Sequence, residues 1–169
     1  MPINMHSLSA GAFDRGLTAL ANVLRKAAAH AAEKKIDDRV FTEARLFPDM
    51  LPLRAQVFIA ADTVRGTLAR LQGEEMAKWE DNEVTLADLV TRVERTLEVV
   101  RGVKAPALEG SDTRETTRKV GGKERTFTGI DYLTKFALPN FYFHSTTAYD
   151  ILRHNGVALG KSDYLGSFD

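Results

Sequence analysis

The sequence predicts an all-α fold, a four-helix bundle, and three observations lead to this prediction. Four separate segments carry apolar residues at the three- and four-residue spacing of an amphipathic helix. A long polar crossover, which carries a Gly-Gly dipeptide, separates the third segment from the fourth. The chain has 169 residues, of which 44% are hydrophobic, so it can bury one core. We therefore expect residues 1–169 to form a single bundle domain, with functional side chains in its interior.

The first predicted helix extends from Ala10 to about Lys34, and Ser9 is its expected N-cap. Its apolar face combines Phe13, Leu17, Leu20, Ala21, Leu24, Ala28 and Ala31. A face of this kind packs against other apolar helices rather than against water.

The second predicted helix follows the Pro48-Asp49 dipeptide, runs to about Leu71 and is stopped by Gly73. Asp49 is the expected N-cap, and Pro52 is tolerated in the first turn. The apolar stripe of this helix consists of Leu53, Val57, Ala60, Val64, Leu68 and Leu71.

The third predicted helix comes after a polar connection, residues 73–84, in which Trp79 is expected to pack onto the bundle. Thr85-Leu86-Ala87-Asp88 resembles a capping box, with Asp88 in the place of the usual glutamate. The helix ends near Gly102. Its apolar positions are Leu86, Leu89, Val90, Val93, Leu97 and Val100.

The crossover before the fourth helix, residues 106–129, contains few apolar residues. Alternation on both sides of Gly121-Gly122 predicts a short β-hairpin. An isolated hairpin is marginally stable, so this one should lie across the helices. The Gly-Gly pair lacks the strand, helix and Lys-Ser/Thr pattern of a phosphate-binding loop. Nucleotide binding therefore has no support in the sequence.

The fourth predicted helix begins near Ile130, is bent or interrupted at Pro139 and ends at an Asn155-Gly156 C-cap. Residues 160–169 follow it, and we expect them to form a tail that Tyr164-Leu165 anchors. Four helices are thus predicted, and the last of them carries the most distinctive side chains.

Composition restricts the classes of function. Lys plus Arg and Asp plus Glu both total 23, so no net field attracts nucleic acid or an anionic membrane surface. Cysteine is absent, which excludes disulfides and thiolate nucleophiles, and any metal would need nitrogen and oxygen ligands. The sequence shows no basic region followed by an apolar run at its start, and no long apolar stretch. The expected location is cytoplasmic, without a membrane partner.

Histidines are the main candidates for chemistry, and four are present. His6 and His30 lie away from the predicted apolar stripes, so we expect both to face solvent. His154 is in the last turn of the fourth helix, where the helix dipole favours a cation, and a capping role is expected. Among the acids, Asp62 is equally well explained as a solvated residue. No Ser-His-Asp arrangement follows from the spacing.

His144 differs from the other three histidines because its helix face carries the apolar neighbours Phe141, Ala148, Ile151 and Leu152. A buried polar group without a partner costs about 1–3 kcal/mol, and Asn140 is available one helical turn away. Two interpretations stay open: a metal or substrate ligand, or a histidine hydrogen-bonded within the core. Zinc and nickel prefer imidazole and carboxylate ligands to a neutral amide oxygen.

Three motifs carry a family resemblance. They are Phe47-Pro48-Asp49-Met50, the fourth-helix run from Pro139-Asn140-Phe141 through Phe143-His144 to Leu152-Arg153-His154-Asn155-Gly156, and Gly160-Lys161-x-Asp163-x-Leu165-Gly166. Together they resemble a bacterial domain-of-unknown-function family within the DinB/YfiT-like metalloenzyme superfamily. The resemblance covers essentially the whole chain and implies a DinB-like four-helix bundle, often a homodimer.

The resemblance also implies a place for a site. In that superfamily three histidines bind a divalent metal ion, and the matching positions in this chain are Gln56, Asn140 and His144. Two of the three histidines are therefore replaced by amides. The resemblance implies a degenerate metal site, either a remnant or one adapted to another ligand, with zinc or nickel as the candidate ions.

Three functions are consistent with these residues. The preferred interpretation is a DinB-like protein whose interior pocket binds a small molecule and holds no metal tightly. The lining expected for this pocket is Gln56, Asn140, Tyr142, His144 and Tyr149. The first alternative is metal-dependent transfer of a thiol or a related group, as the superfamily resemblance implies. The second is a non-catalytic homodimer in which the polar residues serve packing.

Overall fold

The computed structural model describes residues 3–167, which fold into a helical bundle with one β-hairpin. In chain order the helices are α1 (Ala12–Lys34), α2 (Asp38–Thr42), α3 (Leu53–Gln72), α4 (Leu86–Gly102), α5 (Gly129–Tyr132), α6 (Leu138–His154) and α7 (Lys161–Leu165). The hairpin pairs β1 (Glu115–Val120) with β2 (Lys123–Thr128). The predicted fold class is confirmed. Within residues 3–167, none of the helices combines the length and the apolar character that crossing a bilayer requires.

The four long helices, α1, α3, α4 and α6, form a ring around the core. α1 packs against α4 and α6, and α3 packs against the same two helices. The first and second long helices therefore lie diagonally across the ring, and so do the third and fourth. Periodicity predicts the long crossover between α4 and α6. The connection between α1 and α3 also crosses the ring diagonally, which the sequence does not predict. All four helices contribute fully buried side chains, among them Phe13, Leu24, Val64, Leu89 and Ile151.

The first helix begins earlier than the sequence predicts. A π-helical turn, Ser7–Gly11, leads directly into α1, so Ser9 lies within the helical path and is not an N-cap. The Ser9 hydroxyl instead donates a hydrogen bond to the carbonyl oxygen of Met5 at 2.6 Å. Because Met5 and Ala10 are buried, packing rather than a cap sets this start.

The start of α3 is another correction. Asp49 is exposed and does not cap the helix, and Pro52 is the N-cap residue rather than part of the first turn. The N–H of Leu53 donates to the carbonyl oxygen of Ala44 at 2.9 Å. The preceding loop thus folds back, and its backbone carbonyl accepts from a free N–H group at the start of the helix. The local sequence does not reveal this contact. The end at Gly73 is confirmed, since this residue has a φ of 77°.

The capping box at the start of α4 is confirmed. The Thr85 hydroxyl accepts from the N–H of Asp88 at 3.1 Å, and the Asp88 carboxylate accepts from the N–H of Thr85 at 2.9 Å. The same carboxylate accepts from the N–H of Val84 at 3.1 Å. These hydrogen bonds hold the pKa of Asp88 below its ordinary value, because they stabilise its charged form.

Trp79 contacts the bundle as the sequence predicts, and it does so through arginines. The guanidinium carbon of Arg65 lies 3.6 Å from the centre of the Trp79 ring, and that of Arg95 lies 4.3 Å from it. Cation–π contacts of this kind attach the polar connection 74–84 to α3 and α4.

Arg92 of α4 forms the largest buried ionic cluster in the described residues, and periodicity gives no indication of it. Its side chain has no exposed surface and contacts Asp62 at 3.1 Å, Asp81 at 2.8 Å and Glu83 at 3.0 Å. Asp62 also pairs with Arg65 at 2.8 Å, so its interpretation as a merely solvated residue is wrong. The cluster joins α3, α4 and the connection between them.

The hairpin is confirmed with its turn at Gly121-Gly122. Val120 pairs with Lys123, and the two glycines have φ values of 58° and 80°, which favour residues without a Cβ. β2 continues into α5, and the edge of the Phe127 ring packs against Tyr132 with 6.1 Å between centroids.

The last long helix is interrupted just before Pro139. A π-helical turn, Leu133–Ala137, joins α5 to α6, and Pro139 lies in the first turn of α6. Proline has no N–H to donate to the preceding turn of a regular helix. The irregularity that this causes lies in the π-helical turn before Pro139, and not at Pro139 itself. The predicted end is confirmed, because Asn155 is the C-cap and Gly156 has a φ of 92°.

The segment after α6 is anchored as predicted and includes the short helix α7. The Tyr164 hydroxyl lies 2.8 Å from the Thr146 hydroxyl, and the carbonyl oxygen of Leu165 accepts from Arg15 at 2.9 Å. The last part of the expected tail, residues 168–169, lies outside the described residues.

Candidate functional site

The candidate residues of α6 divide between two neighbouring helices. Asn140 and His144 form hydrogen bonds to side chains of α3. Phe141 packs on Phe13 of α1 with ring centroids 5.3 Å apart. The helix therefore supplies two different environments, one towards α3 and one towards α1.

His144 and Gln56 form the centre of the environment towards α3. The Gln56 side chain is buried, and its Nε2 donates to the carbonyl oxygen of Leu51 at 2.9 Å. This contact fixes the amide orientation, so the atom 2.7 Å from Nδ1 of His144 is the acceptor Oε1. Nδ1 must therefore carry the proton, and Nε2 presents a lone pair.

Asn140 lies one helical turn before His144 and contacts a residue that sequence reasoning did not select. Its Nδ2 donates to the hydroxyl oxygen of Thr63 at 2.8 Å, and Thr63 is buried. Thr63 lies two helical turns after Gln56 on α3, so the helical repeat starting from Gln56 would have identified it. The three residues that the resemblance selects thus occupy one interhelical seam, where Gln56 pairs with His144 and Asn140 pairs with Thr63.

Burial lowers the pKa of His144 below its ordinary value of 6.5, because desolvation penalises the charged imidazolium. The ring is partly exposed and its neighbour Phe143 packs edge-on against it at 5.1 Å between centroids. A neutral imidazole with its proton on Nδ1 can accept a hydrogen bond at Nε2 or bind a metal ion there.

Acid is expected to destabilise the fold through His144. The folded state has the lower pKa, so the unfolded state binds more protons between the two values. The contribution of the neutral His144 ring to the free energy of unfolding is fully present above pH 6.5, and it is lost as the pH falls through the pKa of the folded state. NMR titration of the His144 ring should give a midpoint below 6.5. Urea unfolding of His144→Leu should depend less on pH in this interval than the wild type, and an equal dependence would contradict the assignment.

Tyr142 and Tyr149 do not line the seam with His144, which corrects the pocket expected from the sequence. Tyr142 borders a cleft of about 260 Å³ between α1, α6 and α7, and Tyr149 borders a much smaller cavity of about 10 Å³ next to it. A helix turns by about 100° per residue, which directs both tyrosines away from the His144 face. Burial in this cleft raises the pKa of the Tyr142 phenol.

Comparison with known proteins identifies the family of the chain. The family described as "Domain of unknown function (DUF1993)" matches residues 5–165. This chain belongs to the DUF1993 family. A solved structure, the crystal structure at 1.83 Å of a DinB family member protein from Shewanella denitrificans, is 38% identical to it. The similarity covers 97% of this chain and 93% of the other, with a TM-score of 0.89, while no curated protein matches.

The family assignment confirms the sequence-based resemblance and places this DUF1993 chain within the DinB-like superfamily. The donor atoms at its seam do not fit a three-ligand metal centre. The Gln56 oxygen, which a metal ion would need, already accepts a hydrogen bond from His144, and the Asn140 oxygen belongs to a neutral amide, a weak ligand for zinc and nickel. Among residues 3–167, no group of three or more His, Asp or Glu side chains is arranged to hold a metal ion. Only the imidazole of His144 offers a strong ligand.

The remaining histidines of this DUF1993 protein differ in part from expectation. His6 is partly buried, and its Nε2 lies 3.1 Å from the carbonyl oxygen of Val103, so it does not simply face solvent. His30 is also partly buried and packs edge-on against Phe41 at 5.9 Å between centroids. The expectation was wrong for both because residues outside the helix itself cover them. His154 is exposed in the last turn of α6, where the predicted capping role places it.

Proposed function

We propose that this DinB-like protein binds a small hydrogen-bond-donating molecule through Nε2 of His144 and holds no metal ion tightly. One observation carries the proposal: the 2.7 Å contact between Nδ1 of His144 and Oε1 of Gln56. It fixes the tautomer, and within the described residues Nε2 has no hydrogen-bond partner. A pre-oriented acceptor of this kind selects ligands that carry an N–H or O–H group.

The surroundings of His144 support a ligand with an apolar part. Phe143 packs on the imidazole, and this residue is 57% exposed. Leu51, whose carbonyl oxygen accepts from Gln56, is 48% exposed. Asn140 uses its nitrogen on Thr63, which leaves its Oδ1 as a second acceptor. Two acceptors beside apolar groups favour a neutral donor such as a primary amide over an anion.

Benzamide and N,N-dimethylbenzamide form a matched pair of probes, since methylation removes both N–H donors and keeps the ring. We expect benzamide to shift the His144 ring signals in NMR spectra saturably and the dimethyl compound to shift them much less. His144→Leu should weaken benzamide binding about tenfold, as the loss of one hydrogen bond implies. His154→Leu, which removes an exposed histidine from the same helix, is the control. Equal binding of the two amides, or none of benzamide, would refute the proposal.

Metal-dependent thiol transfer is the alternative that the superfamily suggests, and the lone pair on His144 is the observation in its favour. The amide partners argue against tight binding, because neutral amides are weak ligands for zinc and nickel. Calorimetric titration with Zn²⁺ and Ni²⁺ separates the two functions. Stoichiometric binding that His144→Leu abolishes would replace our proposal with this one.

A non-catalytic homodimer is the other candidate, and exposed aromatic residues favour it. The residues Phe47 and Phe143 are 64% and 57% exposed. Apolar groups of this size are enriched where protein surfaces meet. Light scattering of the purified chain measures its mass and so tests for the homodimer. A homodimer is compatible with ligand binding at His144.

A further inference from the structure

Ser145 is an exception among the buried hydroxyl groups of the long helices and of the π-helical turn before α1. Four other buried Ser or Thr residues each donate to the carbonyl oxygen one helical turn earlier: Ser9 to Met5, Thr67 to Thr63, Thr96 to Arg92 and Thr147 to Phe143. Ser145 is only 4% exposed, and within residues 3–167 its Oγ has no hydrogen-bond partner. A buried polar atom without a partner is rare and calls for a physical reason.

Ser145 borders a cleft, which supplies such a reason. The cleft of about 260 Å³ is lined by Arg15, Gly16, Phe141, Tyr142, Ser145, Tyr164 and Leu165. A smaller cavity of about 10 Å³ shares Gly16, Ser145 and Tyr164 with it, so Ser145 lies between the two spaces. Most of the lining is aromatic or aliphatic, and Ser145 supplies the buried polar atom.

Gly16 brings α1 close to the aromatic wall of the cleft. A Cβ atom at this position would lie 2.5 Å from Cε1 of Phe141, a ring with no exposed surface. Phe141 in turn packs edge-on against Phe13 and Tyr142, at 5.3 and 5.2 Å between centroids. The wall is therefore fixed by packing, and its shape is set before any ligand arrives.

Helix α7 forms the outer wall and is held by surface contacts. None of its residues is buried. Lys26 pairs with Asp163 at 2.6 Å, Thr146 with Tyr164 at 2.8 Å, and Arg15 donates to Leu165 at 2.9 Å. Exposed contacts of this kind contribute little to stability, so α7 can be displaced to admit a ligand.

We infer that the cleft between α1, α6 and α7 binds a small aromatic molecule with one hydroxyl group. Its ring lies between Tyr142 and Tyr164, and its hydroxyl pairs with Ser145 once α7 moves aside. A dry apolar cavity of about 150 Å³ accepts benzene, so a cleft of about 260 Å³ holds one ring with a substituent. Aromatic walls favour edge-on or offset contacts with such a ring. This site is separate from the His144 seam and does not depend on the function proposed there.

Phenol and toluene are the matched probes, because they differ in the group that would meet Ser145. Isothermal titration calorimetry should show saturable phenol binding, and NMR shift changes should lie around Tyr164 and Leu165. Ser145→Ala should weaken phenol binding about five- to tenfold and change toluene binding less than about twofold. Thr147→Ala, which removes a partnered hydroxyl from the same helix, should leave both affinities unchanged.

Thermal unfolding supplies a second readout that does not require a ligand. Ser145→Ala should not lower the melting temperature, because it removes an unpaired polar atom and introduces a better helix former. Thr147→Ala should lower it by about 2–5 °C, since it removes a formed hydrogen bond and buried volume.

Four results would overturn the inference. The first two are that phenol does not bind the wild type saturably, and that Ser145→Ala affects phenol and toluene binding equally. The other two are that Ser145→Ala lowers the melting temperature as much as Thr147→Ala does, and that His144→Leu abolishes phenol binding. The last result would assign phenol to the seam between α3 and α6. Failure of benzamide at His144 would leave the inference intact, so the two sites are tested separately.

Discussion

Replacing Arg92 with alanine is expected to lower the free energy of unfolding by about 3–5 kcal/mol. The guanidinium has no exposed surface and pairs with Asp62, Asp81 and Glu83. Removing it leaves Glu83, whose side chain is only 12% exposed, as a nearly buried carboxylate without its cation. Removing one partner of a buried ion pair costs far more than the net contribution of the intact pair.

Urea unfolding followed by circular dichroism measures this effect, and Arg95→Ala is the matched control. Arg95 belongs to the same helix and lies over Trp79, but it is exposed, so its loss should cost less than about 1 kcal/mol. Equal effects of the two substitutions would mean that the cluster around Arg92 does not hold the connection 74–84 in place.

Gly129→Ala is expected to lower the free energy of unfolding by about 3 kcal/mol or more. A Cβ atom at this position would overlap the backbone carbonyl of Ser111 and press on Leu71 of α3. A backbone group cannot turn aside as a flexible side chain can, so the 111–112 turn or the start of α5 would have to move. Because α5 continues into α6, the change should also broaden NMR signals of His144.

Gly102→Ala is the control for this substitution. Beyond its own helix backbone and its chain neighbours, no atom lies within 4 Å of a Cβ built at Gly102, and its φ is not in the left-handed region. Alanine at this helical position should raise stability by about 0.5 kcal/mol through the lower entropy of the unfolded chain. The prediction for Gly129 is wrong if its alanine variant is as stable as that of Gly102.

Helical periodicity was sufficient to predict the four long helices, while their ends depended on the source of each cap. The capping box of Thr85 and Asp88 is local, and the sequence predicts it correctly. Asp49 fails as a cap because the loop before α3 returns its own carbonyl at Ala44 to the helix start. That contact joins residues nine positions apart through a fold of the loop, which no helical repeat encodes.

The candidate site was predictable where helix geometry or the family resemblance constrained it. Spacing along α6 and the resemblance select Asn140, His144 and Gln56, and the hydrogen bonds bring them into one seam. Proximity in sequence alone predicts Tyr142 and Tyr149 in the same seam, but helix rotation directs them elsewhere. The unpaired hydroxyl of Ser145 emerges only from three-dimensional packing.

The diagonal arrangement of the long helices affects how the chain reaches its native state. α1 covers its apolar stripe with α4 and α6, not with α3, the next long helix to be synthesised. On the ribosome that stripe stays uncovered until the second half of the chain emerges, and few early tertiary contacts are local. Such non-local topology slows folding relative to a bundle in which each helix packs on the next one in the chain. The exposed stripe makes the nascent N-terminal half a target for chaperones.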